Sequence, residues 1–270
     1  MKLTPLVSLS LFAAALGGCE ERLTAEEARV AAIEAALSSQ AEGLTAGSLE
    51  LATDFTIGKA VESAAEQIRD FVAAELPCAE VTVSAGRVDI EYGALPGDCS
   101  YHGQTYQGHH SITVSRNDED DVVVEHEWTD FSNGELSVSG EATVTWSRDA
   151  PSRRVVHELE WTRLADGWTG VGTGDRVQRP LDGDLATGIV VDGTRRWVGE
   201  KGTWELSINA VELRWEDPVP QAGSYSLATP YDKTVTVAFE RVDDDTIEIT
   251  VVGSAGREFH FDVSRTGAVE

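Results

Sequence analysis

Lysine is almost missing from this sequence: it occurs only as Lys2, Lys59, Lys201 and Lys233. Lysine and arginine together number 21 against 47 aspartates and glutamates, so the net charge is −26 and the isoelectric point near 4.4. Nucleic-acid binding requires a basic surface, and this balance is the reverse. The same acidity opposes lying flat on an anionic bilayer. Catalytic signatures are also missing: there is no GxSxG elbow, no HExxH, no Walker loop and no GxGxxG between a strand and a helix. Gly170, Gly172 and Gly174 sit in GVGTGDR, but with strand alternation and no helix pattern after them, which excludes a phosphate cradle. Carboxylate pairs are too abundant to single out a glycosidase pair. The expectation is therefore a protein without catalytic residues or cofactor.

What is present is a run of alternating segments from Val122 to Val177: VVVEHEWTDF, ELSVSGEATVTW, RVVHELEWTRL and WTGVGTGDRV. Alternation of period two is the mark of strands, and short turns between them make a meander. All seven tryptophans fall between Trp128 and Trp215, so the core is expected there. The Asn133-Gly134 pair signals the first hairpin. A three-residue loop with Gly134 in a bulge sets Trp128 opposite Gly140, Val124 opposite Val144 and Val122 opposite Trp146, which keeps each apolar row on one face. Asp149-Ala150-Pro151-Ser152 supplies the second turn. Pairing Trp146 with Val155 would put Trp161 on the other side of Gly140, so two tryptophans would flank one glycine. Asp166-Gly167 predicts a tight third turn. Gly170, Gly172 and Gly174 then share a nearly bare face, over which something bulky must lie: Trp161 and a helix of the chain, or an apolar ligand.

The amino terminus, MKLTPLVSLSLFAAALGGC, has one positive charge at Lys2, an apolar run from Leu6 to Leu16 and then small residues. The run is too short to span a bilayer comfortably and reads as a signal peptide. Leu16-Gly17-Gly18-Cys19 resembles the lipobox of bacterial lipoproteins, a likeness confined to residues 1–19. The resemblance implies cleavage before Cys19 and acylation of that cysteine. Glu20 rather than aspartate follows, which in that class points to the outer membrane, with the anchored domain facing the periplasm or the surface. Several acyl chains give stable anchoring where one gives only marginal binding.

Two helices are expected before the strands. Thr24 with Glu27 forms a capping box, and an alanine-rich pattern continues to about Ser39, with Gly43 and Gly47 as breakers. A second helix, from about Thr56 to Leu76, carries Ile57, Val61, Ala64, Ala65, Ile68, Phe71, Val72 and Leu76 as its apolar stripe and stops at Pro77. With Cys19 acylated, Cys78 and Cys99 remain as a disulfide pair, as expected in an exported chain. A hairpin of Glu80–Ser84 and Arg87–Tyr92 lies inside the loop they close.

Cys99 to Ser111 holds His102, His109 and His110, but without ligand spacing for zinc. It reads as a polar segment along the sheet's edge, and adjacent His109 and His110 must point to opposite faces. His126 and His157 occupy equivalent apolar-face positions and are weak metal candidates, more simply hydrogen-bonded core histidines. Asn117–Asp121 and Asp243–Asp245 lack calcium-loop spacing and read as solvated hairpin tips. From Arg179 to Gly202 the glycine- and aspartate-rich chain reads as an excursion with short strands at Gly188–Val191 and Arg195–Val198. A phase change predicts a bulge near Asn209-Ala210. Four more strands follow Pro218 and Pro220.

The expected fold class is α+β: two amino-terminal helices followed by a large, curved antiparallel β-sheet packed on the second helix. The expected segments are a signal peptide (1–18), a lipidated amino terminus with the first helix (19–53), a helix plus meander (54–217) and carboxy-terminal strands continuing the sheet (218–270). The function expected is that of a non-enzymatic, lipid-anchored envelope protein that binds or scaffolds other envelope components. The alternative is a carrier of an apolar ligand, an acyl chain or a lipoprotein, on a concave face made by Trp128, Gly140, Trp161, Gly170, Gly172 and Gly174. A secreted hydrolase is a third, weaker reading.

Overall fold

The computed structural model describes residues 23–56, 61–101, 104–147, 151–214, 217, 219–253 and 255–264. The signal peptide, Cys19, His102, the Asp149-Ala150 turn, Trp215 and Pro218 lie outside the described residues. Two helices come first, α1 (Ala25–Thr56) and α2 (Val61–Glu75). The strands are β1 (Glu80–Ser84), β2 (Arg87–Tyr92), β3 (Ser100–Tyr101), β4 (Gln104–Thr105), β5 (Gln107–Arg116), β6 (Val122–Ser132), β7 (Leu136–Trp146) and β8 (Arg153–Arg163). They continue as β9 (Thr169–Leu181), β10 (Asp184–Gly199), β11 (Gly202–Arg214), β12 (Ala222–Ala228), β13 (Thr234–Arg241), β14 (Thr246–Gly253) and β15 (Glu258–Ser264). Among the described residues β3 and β4 pair with each other, and the other thirteen strands form one antiparallel sheet in the order β1-β2-β5-β6, then β7 to β15 in sequence. The α+β expectation holds in this coarse form. The expected curvature does not: the sheet is open, with β1 and β15 as its edges, and neither curled nor closed. Short, regular hairpins in series extend a sheet sideways, and nothing in their order brings the two edges together. No helix among the described residues is long and apolar enough to cross a membrane.

By compactness the described chain divides into two units, residues 39–173 and residues 23–38 with 174–264. In the first unit, α2 lies against β1, β2 and β5. Its buried side chains are Ala64, Ala65, Ile68 and Val72, part of the stripe expected from the sequence. The Cys78–Cys99 disulfide is present, with Cα atoms 5.3 Å apart, and ties the exit of α2 to the start of β3. On the chain-entropy estimate such a loop stabilises by roughly 3 kcal/mol. The β1–β2 hairpin turns at Ala85 and Gly86, both at positive φ (50° and 82°), as a tight primed turn requires.

The β6–β7 register is the expected one: Val122 faces Trp146, Val124 faces Val144 and Trp128 faces Gly140. Its cause differs from the expected loop bulge. The extra residue sits between Trp128 and Phe131, with Asp130 at φ 49°, and the hairpin then closes with Asn133 bonded to Leu136. The β7–β8 register is two residues away from the expected one: Trp146 faces Arg153, Ala142 faces His157, Gly140 faces Leu159 and Val138 faces Trp161. Trp128 and Leu159, not two tryptophans, therefore flank Gly140. A two-residue slip leaves every side chain on its own face, so alternation cannot detect it; the turn decides, and here Ser147 bonds Ser152 across it. The third turn is longer than the expected one, closing between Arg163 and Trp168 with Gly167 at φ 73°.

In the second unit, β9 and β10 are long continuous strands, not an excursion with short pieces. Their glycines serve close backbone approach. A Cβ on Gly188 would lie 2.0 Å from the Leu213 carbonyl oxygen, and one on Gly193 would lie 2.3 Å from that of Asp175. The register shifts between Asn209 and Glu212, with Ala210 at φ 45°, which is the bulge the phase change predicts. Asp192 accepts the Ala210 N–H at 2.7 Å, and that bond holds its carboxyl below the usual range. One core here is Ile189, Val191, Ile208 and Val211; another is Val219, Val235, Ile247, Ile249, Val251 and Val263, with Leu23 packed against it.

Candidate functional site

The residues of chemical interest gather on the inward face of β5–β8, under the 39–50 half of α1. That helix begins as expected: Thr24 Oγ1 accepts the Glu27 N–H at 3.2 Å, and the Glu27 carboxylate accepts that of Thr24 at 2.6 Å. It does not stop near Ser39 but runs through Gly43 and Gly47 to Thr56. Gly47 is needed for contact rather than for breaking the helix, since a Cβ there would lie 2.6 Å from the Tyr106 hydroxyl.

The buried side of α1 is unusually polar. Glu34, Ser38, Glu42, Thr45 and Ser48 are all buried, among Leu37, Ala41, Leu44 and Leu49. In the first unit each end of this stretch is tied to the sheet. The Trp128 indole N–H donates to Ser48 Oγ at 2.9 Å, His157 Nε2 meets Glu42 Oε1 at 3.3 Å, and Arg153 bonds Glu50. The Ser48 hydroxyl in turn donates to the Thr45 carbonyl at 2.8 Å. In the second unit the earlier turns are held likewise, Ser38 by Arg195 at 2.6 Å and Glu27 by Lys233 at 2.8 Å.

The strand registers place the histidines. Ile112, His126, Ala142 and His157 form one cross-strand row, and His110, Trp128, Gly140 and Leu159 the next. His126 and His157 thus flank Ala142, but each has a different partner. His110 Nε2 lies 3.0 Å from His126 Nδ1, and the two rings stack at 5.2 Å. Both also stack on Trp128, at 5.2 and 5.7 Å. Beyond them Tyr92, Tyr106 and Phe131 pack ring against ring at 5.3 to 5.6 Å. Burial, aided by His126 and His109, drives the His110 pKa well below the ordinary value. Burial, with Arg153 adding to it, lowers that of His126 to about 3. Both rings are therefore neutral at physiological pH. Burial raises Tyr106 to about 12 and Tyr92 further still.

Comparison with protein-family models, curated proteins and solved structures finds no match. His109 and His110 do point to opposite faces: His109 lies 3.6 Å from Asp89, while His110 is fully buried. The strand that carries them is internal, between β2 and β6, not the edge expected. No group of three His, Cys, Asp or Glu side chains among the described residues could hold a metal ion. Gly170, Gly172 and Gly174 are buried, and Gly170 lies directly under Trp161, whose indole would meet an added Cβ at 2.5 Å. Asn117–Asp121 and Asp243–Asp245 are hairpin tips closed on their own side chains. Asn117 Oδ1 accepts the Asp121 N–H at 2.8 Å, and Asp243 Oδ1 accepts that of Thr246 at 2.8 Å.

Sequence reasoning missed His110 as a partner of His126, and Glu42 as a partner of His157. The first was signalled by period two, which puts His110 inward with Ile112 and Val114. The second was hidden by ending the helix too early.

The outward face is a different surface. Exposed Glu127, Glu141 and Glu158 stand directly opposite one another on β6, β7 and β8. Like charges opposite each other destabilise a sheet. Glu141→Lys would place a cation between two carboxylates, and thermal unfolding should shift upward by about 2 °C at low ionic strength. The gain should shrink in high salt, as a screened surface effect must. An equal gain in high salt would refute the electrostatic account.

Proposed function

We propose that this chain is a lipid-anchored, non-enzymatic protein of the bacterial cell envelope that binds or scaffolds other envelope components. The anchor is the acylated Cys19 and the membrane is the outer one, with the folded part facing the periplasm or the surface. The observation that carries the binding reading is how the inward sheet face is used. Its histidines, Trp128 and Trp161 are engaged with α1, with each other or with Gly170, where a carrier would keep room for its ligand. The outward face offers a partner exposed carboxylates, which suit a cationic surface.

Radiolabelled palmitate given to cells producing the full chain should label the wild type and not Cys19→Ala. Chemical cross-linking of the envelope should then capture discrete partners with the wild type and fewer with the unanchored variant. Unlabelled wild type would overturn the anchor. Native mass spectrometry of the purified domain that finds a bound apolar molecule would replace the scaffold with the carrier reading.

A further inference from the structure

We propose that the 39–50 half of α1 is an acid-released latch on the inward face of β5–β8, with the His110–His126 pair as its trigger and the His157–Glu42 contact as its clasp. The geometry couples the pair to the helix through one tryptophan. His110 and His126 share a single contact at 3.0 Å, both stack on Trp128, and the Trp128 indole N–H ends on Ser48 of α1. Between two facing ring nitrogens only one proton is accommodated, because the other nitrogen must supply the lone pair. The remaining acceptor of His110, Nδ1, is buried with no partner among the described residues. A proton added there would create a buried charge whose N–H donates to nothing, which is the costly case.

Among the described residues the surroundings offer no relief. From β2 the pair meets Ile90 opposite His110, and Tyr92 nearby. From β5 His109 adds a like charge when protonated, and from β8 so does Arg153. Ala142 of β7 lies opposite His126. The α1 carboxylates that could compensate are engaged elsewhere, Glu42 with His157 and Glu50 with Arg153. The buried side of α2, which lies on β5, is apolar: Ala64, Ala65, Ile68 and Val72.

The direction follows from linkage. With α1 in place, His126 titrates at about 3 and His110 well below the ordinary value; with α1 lifted and water admitted, both return toward about 6.5. The lifted state then binds more protons across that interval. The latch is fully held above about pH 6.5 and weakens as the pH falls toward 3, by up to about tenfold per pH unit for each histidine. The His157–Glu42 contact at 3.3 Å also holds the helix down, so release must overcome it. Release uncovers Trp128 and Tyr106.

Hydrogen–deuterium exchange of the full chain tests this, read at about pH 7.5 and about pH 5.0 after correction for intrinsic rates. Peptides covering residues 39–50 should lose protection by at least about tenfold at the lower pH, while β13 and β14 keep theirs. Unchanged protection of 39–50 would overturn the latch, and so would its loss in step with β13 and β14, which is general unfolding. In the double variant His110→Phe, His126→Leu the 39–50 peptides should stay protected at the lower pH. Should that variant not fold, Glu42→Gln leaves the stack intact and removes the opposing contact, so release must move to higher pH. Release at the wild-type pH would refute the assigned roles.

Discussion

Gly140→Ala is expected to lower the unfolding free energy by about 3 kcal/mol or more, a large effect for one methyl group. Gly140 has φ 141°, a conformation that side chains rarely adopt. An added Cβ would lie 2.2 Å from the Glu158 carbonyl oxygen and 2.9 Å from Leu159 Cα, both backbone atoms of the neighbouring strand. They can move only if β7 and β8 part, and parting them breaks the ladder that sets His126 and His157 on either side of Ala142. Gly134 provides the control. It also has positive φ, 87°, but nothing within 4 Å of an added Cβ. Gly134→Ala should cost only about 1 kcal/mol, the backbone contribution alone. Urea unfolding of the two variants separates the contributions. A Gly140→Ala protein no less stable than Gly134→Ala would mean that β7 and β8 do not approach this closely.

Gly140 also marks the boundary of what could be read in the sequence. The row of Trp128, Gly140 and their neighbours was legible because alternation assigns faces and a one-residue slip would expose an apolar row. Which residue of β8 lies beside Gly140 was not legible, since registers two residues apart share the same faces. Glycine in general was misread. Gly43 and Gly47 look like helix breakers, and Gly193 like a loop residue between two short strands. Yet the helix runs on past the first two, and Gly47, Gly188 and Gly193 each lie where a Cβ would collide with a neighbour. Local propensity is a weak prior once tertiary contact favours the missing side chain. The same holds for α1 as a whole. Its alanines announce a helix, but its hold on the sheet rests on Glu42, Ser48 and Glu50, whose partners lie about a hundred residues away on the chain. No periodicity reports such pairings, so the histidine site came into view only with the fold. The capping box, the disulfide and the β1–β2 turn were legible because each depends on residues close in sequence or on a single pair of cysteines.

Trp128→Ala should destabilise the protein by about 3 to 5 kcal/mol, the usual range for emptying a large buried aromatic site. Trp128 is only 2% exposed and lies against His110 and His126, so its removal leaves a cavity bounded by rings that cannot collapse without unstacking. The hydrogen bond can be separated from the volume. Trp128→Phe keeps most of the ring and loses the indole N–H; Ser48→Ala keeps the indole and leaves its N–H buried without an acceptor. Each should cost about 1 to 3 kcal/mol, because a buried polar group, the Ser48 Oγ acceptor in the first variant and the indole N–H donor in the second, is left without its partner. Ser48 has a second role, donating to the Thr45 carbonyl, so Ser48→Ala also frees that acceptor. Circular dichroism in urea, applied to both single variants and the double, should return a coupling energy of about 1 kcal/mol. Strict additivity would show that α1 and β6 do not communicate through this bond. The coupling matters beyond stability, since the proposed latch needs this bond to carry the state of two buried histidines to the helix.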